Sequence, residues 1–221
     1  WRLIFWVLCG AALVALLITG FALPETLPAE RRQRIHVESL LASAKVLLSD
    51  PVFMGLTFIG GFGMASFFVF IASASFVYVD QFGLTPTGFS LAFAINALGF
   101  FSASQAAGPL GECVGIVRLM RWGVIGFAAF AVALLVLVLS GFVSLYLIVA
   151  MLFLANACLG LVIPTTMVMA LDAHGRIAGL ASSLGGTLQM VAGGVMIALT
   201  GLFFDGTSLP MVAAIALCAV A

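Results

Sequence analysis

The sequence predicts an all-α, polytopic membrane bundle, and three observations carry that prediction. Of 221 residues, 64% are hydrophobic and only 7% charged, which is more apolar surface than a soluble domain of this length can bury. The apolar residues fall in blocks, most of them near the roughly 20 residues that a helix needs to cross a bilayer core of about 30 Å. Half of the sixteen charged side chains sit in one 28-residue stretch, Pro24–Pro51, which reads as a bridge between spans. Phe, Leu, Ala, Val and Gly fill the blocks without the polar–apolar alternation of barrel strands, so the spans are helices.

In chain order the expected spans are Leu3–Leu23, Val52–Val79, Thr87–Leu110, Trp122–Leu139, Val143–Ala170, Ala178–Phe203 and Leu209–Ala221. The first is not a secretory leader, because no basic region precedes a short apolar run there. The last holds thirteen residues and stops in mid-pattern, and the chain opens on Trp1 rather than Met. Both ends are therefore expected to be cut from a longer protein. Cys9, Cys113, Cys158 and Cys218 lie far apart, without metal or redox spacing, and read as apolar filler or free thiols. No metal and no cofactor is expected.

Orientation follows from the basic residues. Connections after odd-numbered spans carry Arg31, Arg32, Arg34 and Lys45, then Arg118 and Arg121, then Arg176. Connections after even-numbered spans carry no Lys or Arg, but include Asp80 and Asp205. This alternation is a positive-inside pattern and puts residues 24–51 in the cytoplasm; Arg2 is its one dissenter.

The bridge reads as extended and then helical. Pro24 and Pro28 close the first span. Glu30 stands four residues before Arg34, a favourable helical pair. Val37, Leu40, Leu41, Ala44, Leu47 and Leu48 form an apolar stripe at helical spacing, suited to the inner membrane face. The stretch is either a solvated linker that only sets topology or a clasp between two halves of a larger protein.

Polarity repeats with a period of three spans. The first, fourth and seventh are almost free of hydrogen-bonding side chains and should face lipid. The second carries Thr57, Ser66, Ser73, Ser75 and Tyr78, and the third Ser90, Asn96, Ser102, Ser104 and Gln105. The fifth carries Asn156, Thr165 and Thr166; the sixth carries Ser182, Ser183, Thr187, Gln189 and Thr200. Polar groups in lipid need partners or water, so these four helices should face one another or a cavity. Asn96, Asn156 and Gln189 each lie near the middle of a span, so one midplane layer is expected, which is where transporters bind substrate. Interhelical hydrogen bonding would account for the same residues without a ligand. Gln105 falls on the opposite side of its helix from Asn96. Ser73 and Tyr78 complete the candidate substrate-binding set.

Breakers mark the helices that could bend. Gly60, Gly61 and Gly63 should loosen the second span, and Pro164 should interrupt the fifth, so Gly60, Gly61 and Pro164 are candidate hinges. On the sixth span two stripes of small residues, Ala178–Ser182–Gly186–Gly194 and Ala181–Gly185–Gly193–Gly201, invite close helix packing.

Three stretches carry a family resemblance: SASFVYVDQFGLTPTGFSLAFAINALGF (Ser73–Phe100), VIPTTMVMALDAHGRIAGLASSLGGTLQM (Val162–Met190), and the entry WRLIFW with ALPETLPAERR. Together they resemble the Bcr/CflA branch of the major facilitator superfamily, drug–proton antiporters of the bacterial inner membrane. The resemblance implies that the seven spans are helices six to twelve of a twelve-helix transporter. Residues 1–23 would then be the last helix of the N-terminal bundle, 24–51 the cytoplasmic linker, and 52–221 the C-terminal bundle. It further implies export of amphipathic antibiotics such as bicyclomycin- or chloramphenicol-like compounds or sulfonamides from a multi-pass membrane location; a monomer is expected.

The loop Gly111-Glu112-Cys113-Val114-Gly115, followed by Arg118 and Arg121, is a loose match to the family's cytoplasmic-loop pattern, in which an ion pair would hold a gate. No ionisable residue lies near the middle of a span, so proton coupling would reside in the first half. An intramembrane hydrolase is excluded by the loop positions of His36 and His174, a channel by the lack of a repeated filter-like segment. No enzyme and no nucleic-acid partner is expected. A transporter-like scaffold without independent transport is the alternative.

Overall fold

A computed structural model of the chain describes residues 2–22 and 37–221, and every regular element among them is helical. The bridge residues Pro24, Glu25, Pro28, Glu30, Arg31, Arg32, Arg34 and His36 lie outside the described residues, and with them the expected Glu30–Arg34 pair. The chain divides into two units, Trp1–Ser39 and Leu40–Ala221. In the first, α1 (Arg2–Leu17) ends in a π-helical turn, Ile18–Ala22. Its side chains from Arg2 to Phe21 are exposed, and Thr19 is satisfied locally by donating to Ala15 O at 2.8 Å.

The second unit is a bundle. The bridge helix α2 (Val37–Ser49) meets it through Leu47, which is fully buried with Phe53, Leu56, Ala170 and Ala181. Leu40, Leu41 and Leu48 of the same stripe stay exposed. A span then starts at once: Asp50 caps α3 (Pro51–Ser75) by accepting from Val52 N at 3.0 Å, and Pro51 takes the first turn, where its missing N–H costs nothing. The same device, Thr85 accepting from Gly88 N at 3.2 Å ahead of Pro86, starts α4 (Pro86–Val114). The remaining helices are α5 (Ile116–Leu139), α6 (Leu145–Asp172), α7 (Ala178–Leu202, entered through a short 3₁₀ turn, Gly175–Ile177) and the short α8 (Leu209–Val220).

Six helices among the described residues are long and apolar enough to span a membrane; α8, at 12 residues, is shorter. Helices α3 and α6 are central. The first packs on α7, α6 and α8, and the second on α4, α5 and α3. The four polar spans are thus linked in a row, α4 to α6, α6 to α3 and α3 to α7. In α5 one stripe is buried (Leu119, Gly123, Phe127, Ala131, Leu134, Val138), while Trp122, Ile125 and Val136 face outward. That is the periodicity of a helix with one protein face and one lipid face.

Small residues set how closely the helices approach. A Cβ on Gly160 would collide with the Phe100 carbonyl oxygen, so α6 and α4 touch backbone to backbone. One stripe of α7 is used the same way: Gly193 receives the Phe68 ring and Gly185 lies beside Thr57 and Phe53. Gly186 and Gly194, in the other stripe, have nothing within 4 Å.

Two expectations are corrected. The loop Gly111–Gly115 is not a loop: Glu112 belongs to the last turn of α4, and Arg118 and Arg121 to the first turns of α5. Gly115, at φ 90°, makes the whole connection, in a conformation that side-chain-bearing residues rarely adopt. No ion pair among the described residues joins Glu112 to Arg118 or Arg121. Nor does Pro164 interrupt its span; α6 runs unbroken through it. Thr165 donates to Leu161 O and Val162 O, and Thr166 to Val162 O and Ile163 O, at 2.7–3.0 Å, so both hydroxyls beyond Pro164 are satisfied within their own helix.

Candidate functional site

The expected layer of three amides separates into two polar clusters. In the first, Asn156 Nδ2 on α6 donates to Asn96 Oδ1 on α4 at 3.3 Å, and Asn96 Nδ2 donates to Ala92 O at 3.0 Å. Both asparagines are buried, at 4% and 1% exposure. Tyr78 is brought to the same place by the π-helical turn Phe76–Gln81 that ends α3. Its ring is fully buried against Phe89, and Phe93 stacks between Phe89 and Phe70. The Tyr78 hydroxyl faces Asn96 without a well-aligned hydrogen bond to it; Gln81 Oε1, in the same π turn, is also buried and has no hydrogen-bond partner among the described residues. Both atoms lie in one irregular turn. Such turns recur at functional sites.

The second cluster is formed by α3, α6 and α7. Gln189 is half-buried and lies over Gly60: a Cβ there would stand 2.7 Å from Gln189 Nε2 and 3.1 Å from Thr166 Oγ1. Gly61 faces Gln189 and Ala192, and Gly63 faces Leu159. These glycines act as notches that accept neighbouring side chains, within a continuous helix. Thr166 is ten residues from Asn156 on α6, about 15 Å along the axis at 1.5 Å per residue. Gln189 therefore meets α6 well away from the asparagine pair, and the single layer is corrected to two levels. Depth within each span was read without the stagger of α7 against α6.

Other candidates fall elsewhere. Ser73 is buried on α3, while Gln105 is exposed. A cavity of ≈ 310 Å³ between α3, α5, α6 and α8 is lined by apolar groups such as Phe58, Phe62, Phe127 and Leu159, and none of the amides reaches it. A more open cleft of ≈ 390 Å³ between α4 and α6 includes Ser104, Glu112, Pro164 and Thr165. Thr166, counted among the fifth span's polar side chains but not in the candidate substrate-binding set, is the residue that the structure adds to the site; its place two residues after Pro164 was the available signal. The described residues hold no group of acids, cysteines and histidines that could bind a metal. Uncharged donors and acceptors beside Phe rings suit an amphipathic molecule with a few hydrogen-bonding groups.

The chain matches the model of the Major Facilitator Superfamily over residues 1–197. It is 32% identical over 212 residues to an uncharacterised MFS-type transporter, YdgK, of Bacillus subtilis, covering 96% of this chain and 52% of that protein. It is 25% identical over 222 residues to a bicyclomycin resistance protein homolog of Haemophilus influenzae, covering 100% of this chain and 55% of that protein. The chain thus spans about half the length of the curated relatives it matches.

Proposed function

The chain belongs to the Major Facilitator Superfamily, and from that premise we propose that it is the C-terminal part of a drug:proton antiporter that exports small amphipathic antibiotics by alternating access. The family is one of multi-pass membrane transporters, not enzymes, so a small-molecule substrate and a lipid surround follow from membership. Antibiotic export is supported by the likeness to the bicyclomycin resistance homolog across the whole chain. A bacterial inner-membrane location is supported by the family resemblance, and residues 24–51 in the cytoplasm by the basic-residue pattern.

One observation carries the substrate-site reading: Gln189 is a half-buried amide lying over a glycine notch beside Thr166, in a helix trio with no ionisable side chain there. On this reading Gln189 contacts substrate at one level. Tyr78 offers its hydroxyl at the other, beside Asn96, Asn156 and the aromatic wall, with Ser73 on the same helix. Gly60, Gly61 and Pro164 would let α3 and α6 bend as access alternates. Proton uptake within the membrane would be left to the preceding half.

The test is proton-gradient-driven efflux by the full-length protein in inverted membrane vesicles. Gln189→Leu should lower efflux of several amphipathic antibiotics at unchanged protein level. Unchanged efflux across the set removes Gln189 from the site, and efflux indifferent to the proton gradient removes the antiport reading.

A further inference from the structure

At one end of the bundle, the end that the basic residues assign to the cytoplasm, an imidazole ties two connections together. His174, in the turn between α6 and α7, places Nε2 3.0 Å from Asp50 Oδ2. Its other nitrogen, Nδ1, is 3.2 Å from Ala170 O, near the C-terminal end of α6. Asp50 meanwhile ends α2, its N–H bonded to Leu47 O at 3.2 Å, and caps α3 with Oδ1. The Phe53 ring meets the imidazole edge-on, with centroids 5.5 Å apart. The histidine side chain is 12% exposed and the aspartate 26%.

Both partners of this ring are acceptors. A backbone carbonyl cannot donate, and an ionised carboxylate cannot donate. A neutral imidazole carries one N–H, so it satisfies one contact and turns a lone pair toward the other oxygen. Only the imidazolium, with an N–H on each side, fits both. The same cation also complements the carbonyl end of α6.

We propose that His174 and Asp50 form a proton-responsive clasp. Taking a proton from the aqueous phase, His174 locks the α6–α7 turn onto the junction of α2 and α3; losing it, the turn is released. The clasp lies where the bridge helix enters the bundle, beside the buried Leu47, so it governs how firmly the bridge is held. This inference does not depend on which molecule is transported.

The surrounding charges are few. Asp172 and Arg176 flank the ring in its own turn and are exposed, as is Lys45 on α2. Arg118 and Arg121 lie exposed on the first turns of α5. The first turns of α3 and α7 carry no ionisable side chain. Asp50 is thus the one charged group in contact with the ring among the described residues.

The test uses the full-length protein in lipid nanodiscs with ¹⁵N-labelled histidine. At the acidic end of the range from about pH 5 to 8, over which histidines change charge, His174 should show two protonated ring nitrogens. Protection of the amides of residues 171–178, taken relative to the base-catalysed exchange of the unfolded chain at the same pH, should be about three- to tenfold greater there than at the alkaline end, the size expected for a partly exposed charge-assisted bond. His174→Gln and Asp50→Asn should each abolish that pH response; Asp50→Asn keeps a side-chain oxygen to cap α3, which guards against misfolding. A neutral His174 ring at the acidic end, or the same pH response in both variants, overturns the proposal. Because the readout is exchange and not efflux, its failure is separate from failure of the antiport reading.

Discussion

Asn156 Nδ2 donates to Asn96 Oδ1 at 3.3 Å across the seam between α6 and α4, and neither side chain is more than 4% exposed. Asn96 spends its own amide on Ala92 O, so the pair is closed on itself. Two polar groups, each expected to meet a ligand, instead meet each other, beside the Tyr78 hydroxyl.

That closure sets the first prediction. Asn156→Leu leaves the Asn96 oxygen buried without its donor and should destabilise the protein by about 1–2 kcal/mol. Adding Asn96→Leu should recover part of the loss, because the orphaned acceptor is then removed. Thermal unfolding of the purified single and double variants reads this directly. Additive losses would mean the two residues are not coupled.

Gly160 offers a packing test. Gly160→Ala drives a methyl into the Phe100 carbonyl, a backbone atom that cannot swing aside. A loss of about 1–3 kcal/mol is expected. Gly194→Ala, a helical position with nothing within 4 Å, is the control and should change stability by no more than about 0.5 kcal/mol. Both can be read from melting curves in detergent.

At Gly60 the neighbour is the movable end of a side chain. Gly60→Ala displaces Gln189 Nε2 rather than backbone, so the fold should survive. If Gln189 meets substrate, the half-maximal drug concentration for efflux should shift by about tenfold, the scale of one methyl in a binding pocket. Parallel melting curves separate a site effect from a folding effect.

The connection from α7 to α8 has its own pH dependence. Asp205 Oδ1 accepts from Thr207 Oγ1 at 2.7 Å and from Thr207 N at 2.9 Å, and these bonds hold the carboxyl below its ordinary value of 3.8. Because the folded value is lowered, the turn's stabilisation is complete above the ordinary carboxylate range and is lost as pH falls through the lowered one. Thr207→Val removes the hydroxyl donor and should raise the Asp205 midpoint, measured by ¹³C titration of the labelled carboxyl. An unmoved midpoint would deny the hydroxyl its role.

The bundle was largely legible because helix starts are local chemistry. Asp50-Pro51 and Thr85-Pro86 start α3 and α4 through a side-chain acceptor followed by a residue with no N–H to satisfy, one residue before the expected starts at Val52 and Thr87. The start of α5 was not legible: Arg118 and Arg121 read as loop, whereas long basic side chains can sit in a first turn with their charges at the surface. The clasp was hidden for another reason. Nothing near His174 in the chain announces Asp50, since the two meet only when the ends of α6 and α2 are brought together.

By itself the sequence determined that the chain is a membrane bundle of apolar helices, which of them carry polar groups, and the side suggested by their basic ends. Those properties reside in each segment's own composition and its solvent, lipid or water. Tertiary structure alone decided that Asn96 pairs with Asn156, that Gln189 lies at another level over Gly60, and that His174 reaches Asp50. Such partners depend on the stagger and rotation of one helix against the next, set by where glycines let backbones touch, and no single segment encodes that.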